Sequence, residues 1–169
     1  MIHLYTGDGK GKTTAAAGLA VRAAGNGMKV IFAQFMKGND TGEIVSLNQL
    51  ENITVVRCDK NYGFFRNMSE DEKHQLTECH NKMLDEILAV TDAGEVNMIV
   101  LDEITHAMKY NLVDEGKIIK LLEFSDLELV ITGREPKDRI IEKADYITEM
   151  TKIKHPFERG IKARKGIEF

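Results

Sequence analysis

Near the start of the chain, Thr6-Gly7-Asp8-Gly9-Lys10-Gly11-Lys12-Thr13-Thr14 gathers the residue types that hold phosphate. Glycines let successive backbone amides turn inward and form a concave anion site. Lys12 supplies a point charge for phosphate, and Thr13 a hydroxyl of the kind that ligates Mg²⁺. The segment follows a short apolar run, Ile2 to Tyr5, and precedes the Ala- and Leu-rich stretch Ala15 to Ala24, which favours helix. Strand, glycine loop and helix form the context a phosphate loop requires, and the helix start adds partial positive charge. The spacing is short, however. The usual pattern places four residues between its first glycine and Gly-Lys-Thr. Here Thr6 stands where that glycine would be, and Gly7 to Gly11 encloses only three residues. Lys10 is a second lysine within the loop.

Other chemistry-bearing residues fall just after apolar runs. Val96 to Leu101 leads into Asp102-Glu103. Carboxylates at a later strand tip are the expected second half of an Mg-nucleotide site, because hard oxygen donors suit Mg²⁺. Thr132-Gly133-Arg134 ends another run, and a guanidinium there could grip phosphate as a fork. Arg22, within the first helix, reads from spacing alone as a surface residue. Gln34-Phe35-Met36-Lys37-Gly38 ends a further run. Tyr62-Gly63-Phe64-Phe65 puts three aromatics into four residues; by themselves these read as a cover for the core. There is no Gly-x-Ser-x-Gly elbow and no His-Arg-Asp loop. His3, His74, His80, His106 and His155 have no metal-ligand spacing; His74 and His80 read as surface residues of a long helix. The sequence thus offers a nucleotide site without a clear general base.

The elements that must position these residues alternate. Apolar runs at 2–5, 30–35, 53–56, 98–101, 127–132 and 146–149 read as strands. Helices are expected over 15–24, 117–124 and from Pro136 to about Lys143. A longer one follows the capping box Ser69-Glu70-Asp71-Glu72 and stops near Gly94. Its apolar stripe reads as Leu76, Cys79, Met83, Ile87 and Val90. Strand–helix alternation predicts an α/β fold with a mostly parallel sheet between helices. In such sheets ligands bind beyond the carboxyl ends of the strands, so the residues just after each strand are the ones that matter.

The 169 residues fit one domain. Two cysteines, Cys58 and Cys79, are too few for a disulfide framework and lack zinc spacing. That cysteine usage makes the cytoplasm the expected compartment, and with no leader pattern and no apolar run of membrane length visible, neither membrane nor nucleic-acid partners are expected. The net charge of -4 is uneven: from Thr151 to Phe169 six basic residues face two acidic ones, leaving -8 on residues 1–150. A basic end on an acidic body reads either as a solvated tail or as the neighbourhood of an anionic ligand.

Taken together, these residues resemble the P-loop type of ATP:cob(I)alamin (corrinoid) adenosyltransferases. The resemblance rests on Gly7 to Thr14, Gln34-Phe35-Met36-Lys37-Gly38, Gly42-Glu43, Gly63-Phe64, Val100-Leu101-Asp102-Glu103 and Ile131-Thr132-Gly133-Arg134. It continues through Ala144-Asp145, Glu149 and Lys154-His155-Pro156-Phe157 to Gly160-Ile161-Lys162-Ala163 and Gly166-Ile167-Glu168-Phe169. It implies a three-layer, RecA-like P-loop fold over residues 1–169 as a single domain. It further implies transfer of the 5′-deoxyadenosyl group of ATP to Co(I) of a corrinoid, in cobalamin synthesis or salvage, with triphosphate leaving. On this resemblance Gly7, Asp8, Gly9, Lys10, Gly11, Lys12, Thr13 and Thr14 bind ATP, joined by Arg22 and Arg134. Lys10, Lys12 and Thr13 act on the leaving triphosphate; Thr13, Glu103 and Asp102 serve Mg²⁺. Phe64, with Phe65 beside it, belongs to the corrinoid loop, and Arg66 stands where some relatives carry a tryptophan. A reduced flavoprotein as electron donor and a homodimer are also implied. Two other readings fit the phosphate loop: a nucleoside kinase of thymidine-kinase type, and an ATP-binding module without transfer chemistry.

Overall fold

The computed structural model describes residues 1–38, 41–60, 62–63 and 65–168. Six strands form one sheet: β1 (Ile2–Thr6), β2 (Val30–Gln34), β3 (Ile53–Arg57), β4 (Met98–Asp102), β5 (Glu128–Thr132) and β6 (Tyr146–Glu149), in the order β3-β2-β4-β5-β1-β6. Every pairing is parallel. All six carboxyl ends therefore meet one edge, and the phosphate loop, Asp102-Glu103 and Arg134 lie on the segments leaving that edge.

Side chains alternate across the strands, as the pleat requires. Leu4, Ile31, Ala33, Ile99, Leu101, Leu129 and Ile131 face one side, where they pack with residues of α3 (Glu70–Asp92), α5 (Glu115–Leu121) and α6 (Asp138–Lys143). Val30, Phe32, Met98, Val100 and Val130 face the other, against α1 (Lys12–Gly25) and α2 (Gly42–Leu47). Burial on both faces gives the continuous apolar strands seen in the sequence. Helix α1 presents Ala16, Ala20, Ala23 and Ala24 to the sheet. Small side chains let that helix lie close, which carries its first turn up against the strand ends.

The capping box forms as its residues predict: the Glu72 amide donates to Ser69 Oγ, and the Ser69 amide donates to Glu72 Oε2. Two short helices were not predicted, α2 and α4 (Ile104–Lys109). Each has six residues, too few turns for an apolar period to show. Helix α6 begins at Asp138 with Lys137 as its cap, so Pro136 precedes the helix and does not enter its first turn. His80 corrects the surface reading: it is 1% exposed and joins Leu76, Met83, Leu84 and Ile87 on the buried face of α3. Cys58 and Cys79 are bonded to one another, with their Cα atoms 6.1 Å apart.

Candidate functional site

The phosphate loop spans the gap between β1 and α1 and is braced by the chain leaving β6. The Gly9 amide donates to the Met150 carbonyl oxygen at 2.5 Å, and Met150 N donates back to Thr6 O at 2.9 Å. Gly7 has φ 93°, and a Cβ there would meet Met150 O at 2.6 Å. Only glycine accepts both the left-handed backbone and that approach. Lys12 is buried in the loop, its Nζ donating to Gly7 O at 2.7 Å and Gly9 O at 2.8 Å. Burial pushes its pKa below the usual lysine value, and the charge of Arg134 pushes the same way.

Behind the loop lies a buried polar cluster. Asp102, at the tip of β4, is fully buried. Its Oδ1 accepts from Thr13 Oγ1 and from Thr132 Oγ1, both at 2.8 Å. Its Oδ2 accepts from Gln34 Nε2 and Lys37 Nζ, both at 3.2 Å. The topology explains this arrangement. Strand β5 lies between β1 and β4, so Thr132 at its tip bridges the phosphate-loop side and the carboxylate side. Thr132 Oγ1 also accepts from the Glu103 amide at 2.9 Å.

Glu103 then turns sharply, with φ 60°, and caps α4. Its Oε2 lies 2.5 Å from His106 Nδ1. Burial raises the pKa of the Glu103 carboxyl, but the His106 hydrogen bond and the charges of His106, Lys37 and Lys12 together hold it below the usual value. On the adjacent strand end, Gly133 lies so close to α4 that an added Cβ would overlap Thr105 Oγ1. That same hydroxyl donates to Arg134 O at 2.8 Å, fixing the backbone that presents the guanidinium. Arg134 itself reaches Asp8 at 3.8 Å.

These elements enclose a cavity of about 710 Å³. Residues 8–14 form its floor, Lys37, Glu43, Glu103 and Arg134 stand in its walls, and His155 with Gly166, Ile167 and Glu168 closes one side. Four residues of the C-terminal segment thus line the cavity, and none of its six lysines and arginines is among them. Glu168 ties it down, meeting Lys10 Nζ at 3.4 Å and Arg164 Nη2 at 3.0 Å. Hydrogen bonds from Arg164 lower the Glu168 carboxyl to about 2, so it stays anionic.

Most sequence-derived candidates therefore converge. Asp8, Gly9, Lys10, Gly11, Lys12, Thr13, Thr14, Glu103 and Arg134 line one cavity. Gly7 and Asp102 sit directly behind it as acceptors for Lys12 and Thr13. Arg22 does not join them. It occupies the last turn of α1, exposed, and is not among the cavity-lining residues. Phe64 lies outside the described residues. Phe65 stacks on Tyr110 with ring centroids 4.1 Å apart, and it packs with Tyr62 against the core, so these two rings help to cover it. Tyr110 in turn stacks with His106 at 6.5 Å, so rings run from this loop to Glu103.

The sequence alone assigns Lys37 no role. Its contacts with Asp102 and Thr13 depend on β2 and β4 being neighbours, which no spacing reveals. The donor set for a cation is oxygen-based: the Thr13 hydroxyl and the Asp102 and Glu103 carboxylates. Gln34 Oε1, buried beside Asp102, has no hydrogen-bond partner among the described residues. No cluster of three or more His, Cys, Asp or Glu able to hold a metal occurs among them either. The oxygen donors of Thr13, Asp102 and Glu103 suit a hard cation such as Mg²⁺, which takes one or two carboxylates and relies on phosphate and water for the rest.

A KaiC-like protein from the archaeon Pyrococcus horikoshii OT3 superposes with a TM-score of 0.56 at 16% identity, covering 90% of this chain and 73% of that one. The fold is thus the three-layer, RecA-like P-loop architecture. A corrinoid adenosyltransferase of Pseudomonas aeruginosa is 33% identical across all of this chain and 83% of its own length. The corrinoid adenosyltransferase CobA of Salmonella typhimurium is 34% identical across all of this chain and 85% of its own. The profile of the ATP:corrinoid adenosyltransferase BtuR/CobO/CobP family matches residues 1–169. The chain belongs to that family of ATP:corrinoid adenosyltransferases.

Proposed function

We propose that residues 1–169 act as one catalytic domain that moves the 5′-deoxyadenosyl group of ATP onto the cobalt of a reduced corrinoid. The observation that carries this reading is the cavity floored by the shortened phosphate loop, with Lys10, Lys12, Lys37 and Arg134 around it. Four cations around one cavity suit a leaving group as highly charged as inorganic triphosphate.

In the reaction, the Co(I) electron pair attacks the 5′-carbon, the bond from that carbon to its oxygen breaks, and triphosphate leaves with the bonding pair. Co(I) is already a nucleophile with no proton to remove, so the protein needs no general base at this step. Its tasks are positioning and stabilisation of the charge that builds on the leaving oxygen. Lys12 would leave the carbonyls of Gly7 and Gly9 for the phosphates. Amides of residues 10–14 and Lys10 would hold the chain from the loop side, and Arg134 from the other. Thr13 and Glu103, with Asp102 beside them, would hold Mg²⁺, which supplies charge neutralisation to the triphosphate.

The corrinoid would lie at the same sheet edge, toward the loop that carries Phe64 and Phe65. By family likeness Phe64 would crowd the lower axial ligand of cobalt and ease its reduction by a donor such as a reduced flavoprotein. Arg22 is joined to the nucleotide only by likeness to the family, since it lies in the last turn of α1 and is not among the residues lining the cavity. A cytoplasmic homodimer without nucleic-acid partners is part of the same reading. Edge strand β6 and the chain after it leave Tyr146, Ile147, Ile153 and Phe157 exposed, which a second copy would cover. No helix among the described residues is long and apolar enough to cross a membrane.

The test is the phosphate product. With MgATP, a corrinoid and a strong reductant, triphosphate and an alkyl-cobalt absorption spectrum are expected. ADP with a phosphorylated acceptor would sink the reading in favour of a kinase.

A further inference from the structure

The place where the reading above would put Mg²⁺ already has a cation beside it. Lys37 Nζ lies 3.2 Å from Asp102 Oδ2 and 3.3 Å from Thr13 Oγ1. Those are the hydroxyl and the carboxylate that a phosphate-loop metal uses. Asp102 is 0% exposed, and a carboxylate removed from water is strongly unfavourable without a paired cation. Lys12 does not serve it, being turned into the loop carbonyls. Among the described residues, the ammonium in direct contact with Asp102 is that of Lys37.

Ammonium and dication cannot share these two oxygens, because each would repel the other at contact distance. Lys37 has somewhere to go. Its side chain is 32% exposed and lines the cavity. A four-carbon stem lets its head swing while its backbone stays in place. That backbone is anchored: Met36, before it, holds φ 60° and donates its amide to His80 Nε2 at 3.4 Å. The open direction leads to the volume that the phosphate loop floors.

We propose that Lys37 is a resident cation of the metal position. Without nucleotide it neutralises Asp102 and orders Thr13. When Mg²⁺ arrives with ATP, the ammonium yields those oxygens and moves to the triphosphate, adding charge where the leaving group forms. Metal entry and the arrival of this lysine at the phosphates are thereby one event. The proposal rests on the reading of this site as an Mg-triphosphate site. Its test does not depend on adenosyl transfer, so the two can fail separately.

The test uses Mn²⁺ as the probe, an octahedral oxygen-site cation whose free signal is read by electron paramagnetic resonance. Nucleotide-free wild type, Lys37→Met and Lys37→Arg are titrated, with circular dichroism checking that each is folded; Lys37→Gln replaces the methionine variant if that one does not fold. Removing the competing charge should tighten Mn²⁺ binding about tenfold in Lys37→Met, while Lys37→Arg stays within about twofold of wild type. Mn²⁺ should also raise the melting temperature of Lys37→Met more than that of wild type. Inorganic triphosphate, added with saturating Mn²⁺, should bind Lys37→Met about tenfold more weakly. Unchanged or weaker Mn²⁺ binding by Lys37→Met would overturn the proposal and leave Lys37 an ordinary ion pair. Tighter Mn²⁺ with unchanged triphosphate binding would overturn the move to the phosphates.

Discussion

His80 makes the stability of this protein depend on pH in a window that can be worked out. It sits under the strand end that carries Lys37, with Nε2 accepting from the Met36 amide and its ring edge-on to Phe35 at 5.1 Å. Burial lowers its pKa from 6.5 to about 4, opposed only in part by the backbone of Leu112. The unfolded chain takes up a proton on this ring as pH falls through 6.5, but the folded chain does not until about 4. Between those values the unfolded state binds more protons, so folding stability falls with falling pH. It is complete above 6.5 and levels off below 4. Each pH unit is worth about 1.4 kcal/mol, which puts the loss at about 3 kcal/mol across the window. Against a total of about 5–15 kcal/mol for a domain, that is a large share. Urea unfolding of wild type and His80→Gln at pH 7, 6, 5 and 4.5 reads it directly. Glu103 and Glu72 also have lowered values and lose stability toward low pH in both proteins, so the difference in slope isolates His80. The slope should be shallower in His80→Gln by roughly 1 kcal/mol per pH unit below 6.5. Equal slopes would refute the assignment of a buried neutral imidazole.

Lys12→Ala should lower kcat/KM for ATP about a hundredfold or more, since it removes a buried charge from the triphosphate end; unchanged turnover would refute that placement. Phe64→Ala should impair the reaction from cob(II)alamin with a mild reductant more than the reaction from pre-reduced cob(I)alamin. Equal losses in the two assays would remove Phe64 from the axial-ligand role.

The phosphate loop was legible because all its parts are adjacent in the chain, and the flanking strand and helix fix their direction. Asp102-Glu103 and Arg134 were legible as strand-end residues, and parallel topology alone then brings them to one edge. What the sequence hid depends on contacts between strands. Nothing in its spacing shows that β5 separates β1 from β4, so the bridging role of Thr132 and the seat of Lys37 appear only with the sheet order. The burial of His80 had a visible sign. It lies four residues after Leu76 and three before Met83, on the helical stripe that the sequence reading gave to Cys79. A polar residue within an apolar stripe is easily read as an edge position, and the bond from Cys79 to Cys58 shows which way the neighbouring side chain points. The C-terminal string was ambiguous by charge alone. Its contact with Lys10 through Glu168 makes it a wall of the cavity.

The central claim is that the 5′-carbon of ATP becomes bonded to cobalt within this cavity. It is tested most directly with ATP carrying ¹³C at that carbon, turned over with pre-reduced corrinoid and followed by carbon NMR of the isolated corrinoid. The account predicts the label as a cobalt-bound methylene, formed one for one with triphosphate. A corrinoid without label, or label remaining in ADP or AMP, would contradict it.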